Sequence, residues 1–131
     1  MAPPAASTLT VERQGGRVTG AGYGVSNEML HALGSGEPRA EATCDLHGLR
    51  SEAARARLER FILGSAERGL RAVLVICGRG AHSGSTGPVL RELAVATLGQ
   101  PPVAERVLAF ATAPAVLGGE GALMVRLRRR Y

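Results

Sequence analysis

Four consecutive branched apolar residues, Val73-Leu74-Val75-Ile76, run without a polar interruption through the middle of the chain. A strand with one face in water alternates apolar and polar side chains. An unbroken run of this kind therefore belongs in a central, parallel strand covered on both faces. Such a strand needs a neighbour reached through a crossover, and helices to cover it.

The flanking sequence supplies both. Residues 42–46 read as a short strand. Residues 51–68 read as a helix, with Ser51 as its cap and Glu52 in the first turn, where a carboxylate suits the helix dipole. Ala54, Leu58, Phe61, Ile62 and Ser65 recur at helical spacing, Arg55, Glu59, Arg60 and Glu67 fall mostly opposite them, and Gly69 is a stop. The apolar run then forms a strand over residues 71–77. After a loop rich in Gly and Ser (residues 78–86), Gly87-Pro88 opens a second helix with Leu90, Leu93, Ala94 and Thr97 on its inner side. Residues 107–112 form a third strand and residues 121–128 a fourth. In the fourth, Ala122, Met124 and Arg126 share one side, and Leu123, Val125 and Leu127 the other. The order β-α-β-α-β-β predicts an α/β fold with a mixed four-stranded sheet. A right-handed crossover makes its first two strands parallel, and both helices lie on one face.

Upstream, residues 1–25 are rich in Gly, Ala and Pro without a sustained period, and are expected to form a flexible arm. Residues 26–39 read as a short helix and linker, with Ser26 or Asn27 as cap and Met29, Leu30 and Leu33 on one face. The domain proper is expected over residues 40–131.

A length of 131 residues suits one domain. No apolar run is long enough to span a bilayer, and the first ten residues lack the pattern of a secretory leader. Two cysteines, Cys44 and Cys77, are too few for a disulfide scaffold or a cysteine-based zinc site, and three scattered His with one Asp predict no metal site. A reducing cytoplasm is the expected setting. All 16 basic residues are Arg, and the net charge is +5. Residues 1–43 carry three Arg and four Glu, whereas residues 44–131 carry 13 Arg against seven acids. Arg126, Arg128, Arg129 and Arg130 crowd the end of the chain, which points either to a polyanionic partner or to a solvated basic tail.

Asp45, the only aspartate, ends the first strand in Asp45-Leu46-His47-Gly48. Residues i and i+2 of a strand share a side, so Asp45 and His47 converge while Leu46 enters the core. A carboxylate beside an imidazole fixes its tautomer and raises its basicity, which suits general acid–base work. The plain alternative is an Asp that caps a turn beside a solvated His. Cys77-Gly78-Arg79-Gly80 follows the second strand, and a parallel register brings it to the same edge of the sheet. Its glycines permit an anion nest, and Arg79 offers a fork suited to phosphate. The alternative is an ordinary loop that needs glycine to turn. His82 and Ser83 either extend a phosphate loop or are exposed polar residues. A Walker A loop is excluded by the absence of lysine, a dinucleotide fingerprint by Ser83, and a nucleophile elbow by Ala81.

Asp45-Leu46-His47-Gly48-Leu49 with Ser51-Glu52-Ala53 resembles the LDLHG opening of the small MutS-related (Smr) domain family. The strand ending in Cys77 and Gly78-Arg79-Gly80 resembles that family's apolar strand and HGxG loop. Pro88-Val89-Leu90, Ala109-Phe110 with Ala113, Gly118-Gly119-Glu120-Gly121-Ala122 and Val125-Arg126-Leu127-Arg128 resemble later segments of its stand-alone bacterial branch. The resemblance implies a two-layer α/β sandwich similar to the C-terminal domain of translation initiation factor three. It implies a nicking endonuclease on DNA or RNA, or a non-catalytic nucleic-acid- or ribosome-binding module. Carried across, Asp45, His47 and Arg79 would be catalytic. Gly48, Gly78, Gly80, His82, Ser83, Arg126, Arg128, Arg129 and Arg130 would contact phosphate. Cys44 stands where the family usually has Leu, and Cys77 where its loop usually has His, which removes either a second proton carrier or a phosphate contact. The expected partner is a DNA or RNA backbone, with the ribosome as a further candidate and no membrane. The expected state is a monomer, and a divalent cation such as magnesium is left open as cofactor.

Overall fold

The computed structural model describes residues 9–79 and 86–129. Its order is β1 (Thr10–Gln14), β2 (Arg17–Ala21), α1 (Asn27–Gly34), β3 (Thr43–Asp45), α2 (Ser51–Glu67), β4 (Ala72–Ile76), α3 (Gly87–Leu98), β5 (Val107–Thr112) and β6 (Ala122–Leu127), with short 3-10 turns before and after β5. The strands form one sheet in the order β1-β2-β5-β6-β4-β3. β3 and β4 are parallel, Cys44 opposite Val75, and every other pairing is antiparallel. The predicted four-strand unit is present as β3 to β6, and the sheet is wider by two strands.

Those two strands correct the expectation of a flexible arm through residue 25. Gly15 and Gly16 join β1 to β2 as a two-residue hairpin turn, with Gln14 opposite Arg17 and Gly15 at φ 62°. β2 extends the sheet on β5. The ring of Phe110 lies against Gly20, where any Cβ would collide with it. Thr112 pins the same edge: its Oγ1 accepts from the Val18 N–H at 2.8 Å and donates to the Val18 carbonyl at 3.3 Å. Arg13 of β1 holds Glu92 of α3 through two parallel bonds of 2.8 and 2.7 Å.

The two faces of the sheet differ in bulk. On one, Val73, Val75, Phe110, Leu123 and Val125 meet Leu58 and Ile62 of α2 and Leu90, Ala94 and Leu98 of α3. The opposite face is lined by Ala72, Ala109, Ala111, Ala122 and Met124, small enough for Leu33 of α1 to pack directly on it. Thus α2 and α3 share one face as expected, while α1 covers part of the other. The alternation read for β6 holds, with Leu123 and Val125 on the bulky side and Ala122 and Met124 on the small one.

Helix ends follow local chemistry. The cap of α2 is Arg50 rather than Ser51, which is the first helical residue. Gly69, at φ 75°, closes the other end: its N–H bonds the Ala66 carbonyl and that of Leu70 the Ser65 carbonyl, a Schellman pattern. Ser26 caps α1, its Oγ accepting from the Met29 N–H at 3.1 Å. Ser26→Ala is expected to cost about 1 kcal/mol, read as a lower urea midpoint at unchanged slope. Among the described residues no helix is long and apolar enough to cross a membrane.

Candidate functional site

Leu46 is wholly buried, and its N–H bonds the Ile76 carbonyl at 2.7 Å. That anchor turns the flanking Asp45 and His47 outward together. Asp45 Oδ1 lies 2.6 Å from His47 Nδ1 and accepts the His47 backbone N–H at 3.0 Å. Both side chains are open to solvent, at 49% for Asp45 and 60% for His47. An ionised carboxylate only accepts, so Nδ1 carries the proton, and in the neutral imidazole the lone pair is left on Nε2. Gly48, at φ 78°, turns the chain away immediately afterwards.

Burial by itself would raise the Asp45 carboxyl. The hydrogen bonds from the His47 ring and N–H, with the charges of His47 and Arg57, hold it below its ordinary value instead. Ionised Asp45 therefore contributes stability at pH above 3.8, and that contribution is lost as pH falls through the depressed folded value. A carbon-13 titration is expected to place its midpoint below 3.8 in the parent and higher in His47→Ala. A parent midpoint above 3.8 would mean that burial outweighs the His47 bonds.

The end of β4 adjoins this pair. Gly78 has φ 86°, and a Cβ there would stand 3.1 Å from that of His47. Arg79 comes next, its Nε donating to the Gly118 carbonyl at 3.1 Å. The guanidinium lies against Gly119, and a Cβ at Gly121 would come within 2.8 Å of the Arg79 stem. The turn between β5 and β6 is thus cut back to backbone where Arg79 crosses it. A cleft of about 260 Å³ opens here, lined by Gly78, Arg79, Pro88, Arg91 and Glu120.

Arg57 and Arg91 went unnoticed in the sequence, and Glu120 was read only as part of a family segment. Arg57 of α2 donates to the Asp45 carbonyl at 3.2 Å. Arg91 of α3 donates to the Glu120 carbonyl at 3.2 Å. Glu120 also meets the hairpin, its carboxylate lying against Gly16. Arg57 stands three residues after Ala54 and four before Phe61, and Arg91 three before Ala94. Each borders its helix's inner stripe, and that spacing was the available signal.

Arg126, Arg128 and Arg129, expected to contact phosphate, do not line this cleft and lie toward the other end of the sheet. β6 runs antiparallel to β4, with Ala122 opposite Ile76 at the site end and Arg126 opposite Ala72 at the other. Arg128 is half-buried, and a Cβ at Gly22 would stand 2.7 Å from its guanidinium. Gly80, His82, Ser83 and Arg130 lie outside the described residues.

Both cysteines are free and buried beneath the site. Burial raises the Cys44 thiol to about 11, with Arg57 opposing and Asp45 reinforcing. Burial raises Cys77 to about 12, with Arg91 opposing and Cys44 and Asp45 reinforcing. At neutral pH both are protonated. A larger groove of about 880 Å³ lies between the hairpin, α1 and β5, lined by Glu12, Arg17, His31 and Thr112 among others, and includes none of the site residues.

Residues 44–128 match the Smr domain family. No match is found among curated proteins. The fold is similar to the crystal structure of YdaL, a stand-alone small MutS-related protein from Escherichia coli, with a TM-score of 0.67 and 29% identity over 95% of this chain and 86% of that one. It is also similar to the Smr domain of Thermus thermophilus MutS2, with a TM-score of 0.56 and 28% identity over 66% of this chain and 98% of that one.

Proposed function

The chain belongs to the Smr domain family, and from that membership we propose that it cleaves phosphodiester bonds in nucleic acid as a nicking endonuclease. The observation that carries this reading is the 2.6 Å contact between Asp45 and His47 on an imidazole that is 60% exposed, with Gly78 beside it and Arg79 next in the chain. Asp45 holds the Nδ1 proton. His47 Nε2 is then free to take a proton from an attacking water or hydroxyl and to return one to the leaving oxygen. Arg79, held across the glycine turn, offers its guanidinium to the phosphate as negative charge builds there. Among the described residues no three His, Cys, Asp or Glu side chains converge.

The test is a nicking assay on supercoiled plasmid and on structured RNA, with and without magnesium. It compares the parent with Asp45→Ala, His47→Ala and Arg79→Ala. Cleavage by the parent that is lost in all three variants supports the assignment, and equal cleavage in all four ends it. A second reading, a non-catalytic nucleic-acid- or ribosome-binding module, is favoured by Cys77, a buried neutral thiol where a second proton carrier would be useful. Binding without cleavage, weakening steeply with salt, is its signature.

A further inference from the structure

Arg126 has an unusual place for a charged residue. It lies inside a central strand, opposite Ala72 on one side and Ala109 on the other, both wholly buried. Cross-strand partners share a face, so the Arg126 stem has small side chains on either side and its guanidinium is carried out to the rim. Two more arginines bracket it. Arg71 directly precedes Ala72, and its carbonyl accepts the Leu127 N–H at 2.8 Å, while Arg129 leaves the end of β6. After burial, the charges of Arg71 and Arg129 are what depress Arg126.

Three arginines of the fold have acids: Arg13 pairs with Glu92, Arg55 with Glu52 and Arg106 with Glu67. Among the described residues, no ion pair reaches the guanidinium of Arg71, Arg126 or Arg129. The nearby carboxylate of Glu41 accepts the backbone N–H of Arg71 at 2.7 Å. Gathering three like charges opposes folding, and only counterions or a polyanion relieve it.

We propose that Arg71, Arg126 and Arg129 form a second phosphate-backbone anchor, at the end of the sheet opposite the Asp45–His47 site, through which the domain holds a nucleic-acid duplex at two separated points. This rests on the nucleic-acid reading above and adds the form of the substrate. Ala72 and Ile76 lie four residues apart, roughly 13 Å of strand, and Arg79 extends the span to about 20 Å. That is about six base-pair rises of a duplex. Aromatic residues make up only 3% of the chain, which disfavours a stacking platform for single strands.

The experiment measures binding by fluorescence anisotropy over a salt series. The probes are DNA and RNA duplexes of about 5 and about 16 base pairs, the shorter reaching one anchor and the longer both. The parent is compared with R71A/R126A/R129A and with Arg79→Ala. R71Q/R129Q leaves the central strand position untouched and covers the case in which the triple variant does not fold, as judged by circular dichroism and melting. The parent is expected to bind the longer duplex more tightly and with a steeper salt slope. The triple variant is expected to lose that gain, its slope on the longer duplex falling by about 2 to 3 units, with the shorter duplex bound as before. R71Q/R129Q is expected to lose about two-thirds as much. Parent-like slopes and length dependence in folded variants would overturn the second anchor, as would equal weakening on both lengths. A parent that binds no duplex would overturn the nucleic-acid reading itself, a result distinct from those two. The DNA and RNA arms identify which duplex the two anchors fit.

Discussion

Alanine in place of His47 is expected to lower strand cleavage by about 10²–10⁴-fold, the range over which a positioned proton carrier acts. The melting temperature should hardly move. His47 is 60% exposed and leaves no cavity when truncated. Among the described residues its one side-chain bond is the 2.6 Å contact to Asp45, a carboxylate that water can solvate once the imidazole is gone. Asp45→Asn separates orientation from charge. An amide oxygen can still accept the Nδ1 proton, but the amide can also turn its NH2 toward Nδ1 and select the wrong tautomer. Asparagine should therefore fall between parent and His47→Ala. Single-turnover nicking of plasmid, with melting curves on the same samples, checks both. Parent-like cleavage by a folded His47→Ala protein would remove the imidazole from the reaction.

The Asp45–His47 pair was legible in sequence because the rule it obeys is local. A period of two puts Asp45 and His47 on one side and Leu46 on the other whatever the rest of the chain does. Gly78, which lies against His47, followed from one further step, the parallel pairing of β3 with β4. The arginines at the end of β6 show where such reasoning stops. Their charge is visible in the sequence, but their place depends on the direction of β6, and the antiparallel pairing that seats Ala122 beside the site carries Arg126 away from it. Arg57 and Arg91 required knowing how each helix is rotated about its own axis, which a boundary stripe settles only after docking.

The N-terminal hairpin was missed for a related reason. All five residues of β1 are exposed and only Val11 among them is aliphatic, so no alternation announces a strand. The signal present was Gly15-Gly16 between two short runs, a two-residue turn hidden in glycine-rich composition. β2 joins the sheet because of a residue 90 positions away, Phe110, whose ring occupies the space above Gly20. A contact of that range leaves no mark in either local segment.

Valine in place of Gly87 is expected to remove cleavage and to cost about 1–3 kcal/mol of stability, the usual penalty for forcing extra volume into a packed contact. A Cβ at position 87 would overlap the Gly78 carbonyl oxygen, lie 2.5 Å from its carbon and stand 2.9 Å from the Arg79 Cα. All three neighbours are backbone, so no rotamer change relieves the overlap. Either the first turn of α3 moves off the loop, or the loop leaves His47 and the glycine turn that cradles Arg79. The first choice strains the Thr86 cap, whose Oγ1 accepts the Val89 N–H at 3.4 Å. The second dismantles the phosphate grip directly. Gly64→Ala is the control, because nothing lies within 4 Å of a Cβ there in α2. It should cleave like the parent and gain about 0.5–1 kcal/mol from helix propensity. Urea midpoints and nicking rates for the two variants separate a general glycine effect from the specific contact. A Gly87→Val protein that melts and cleaves as the parent does would show that α3 and the Gly78–Arg79 backbone are not pressed together, and the route by which the helix holds Arg79 in place would fail with it.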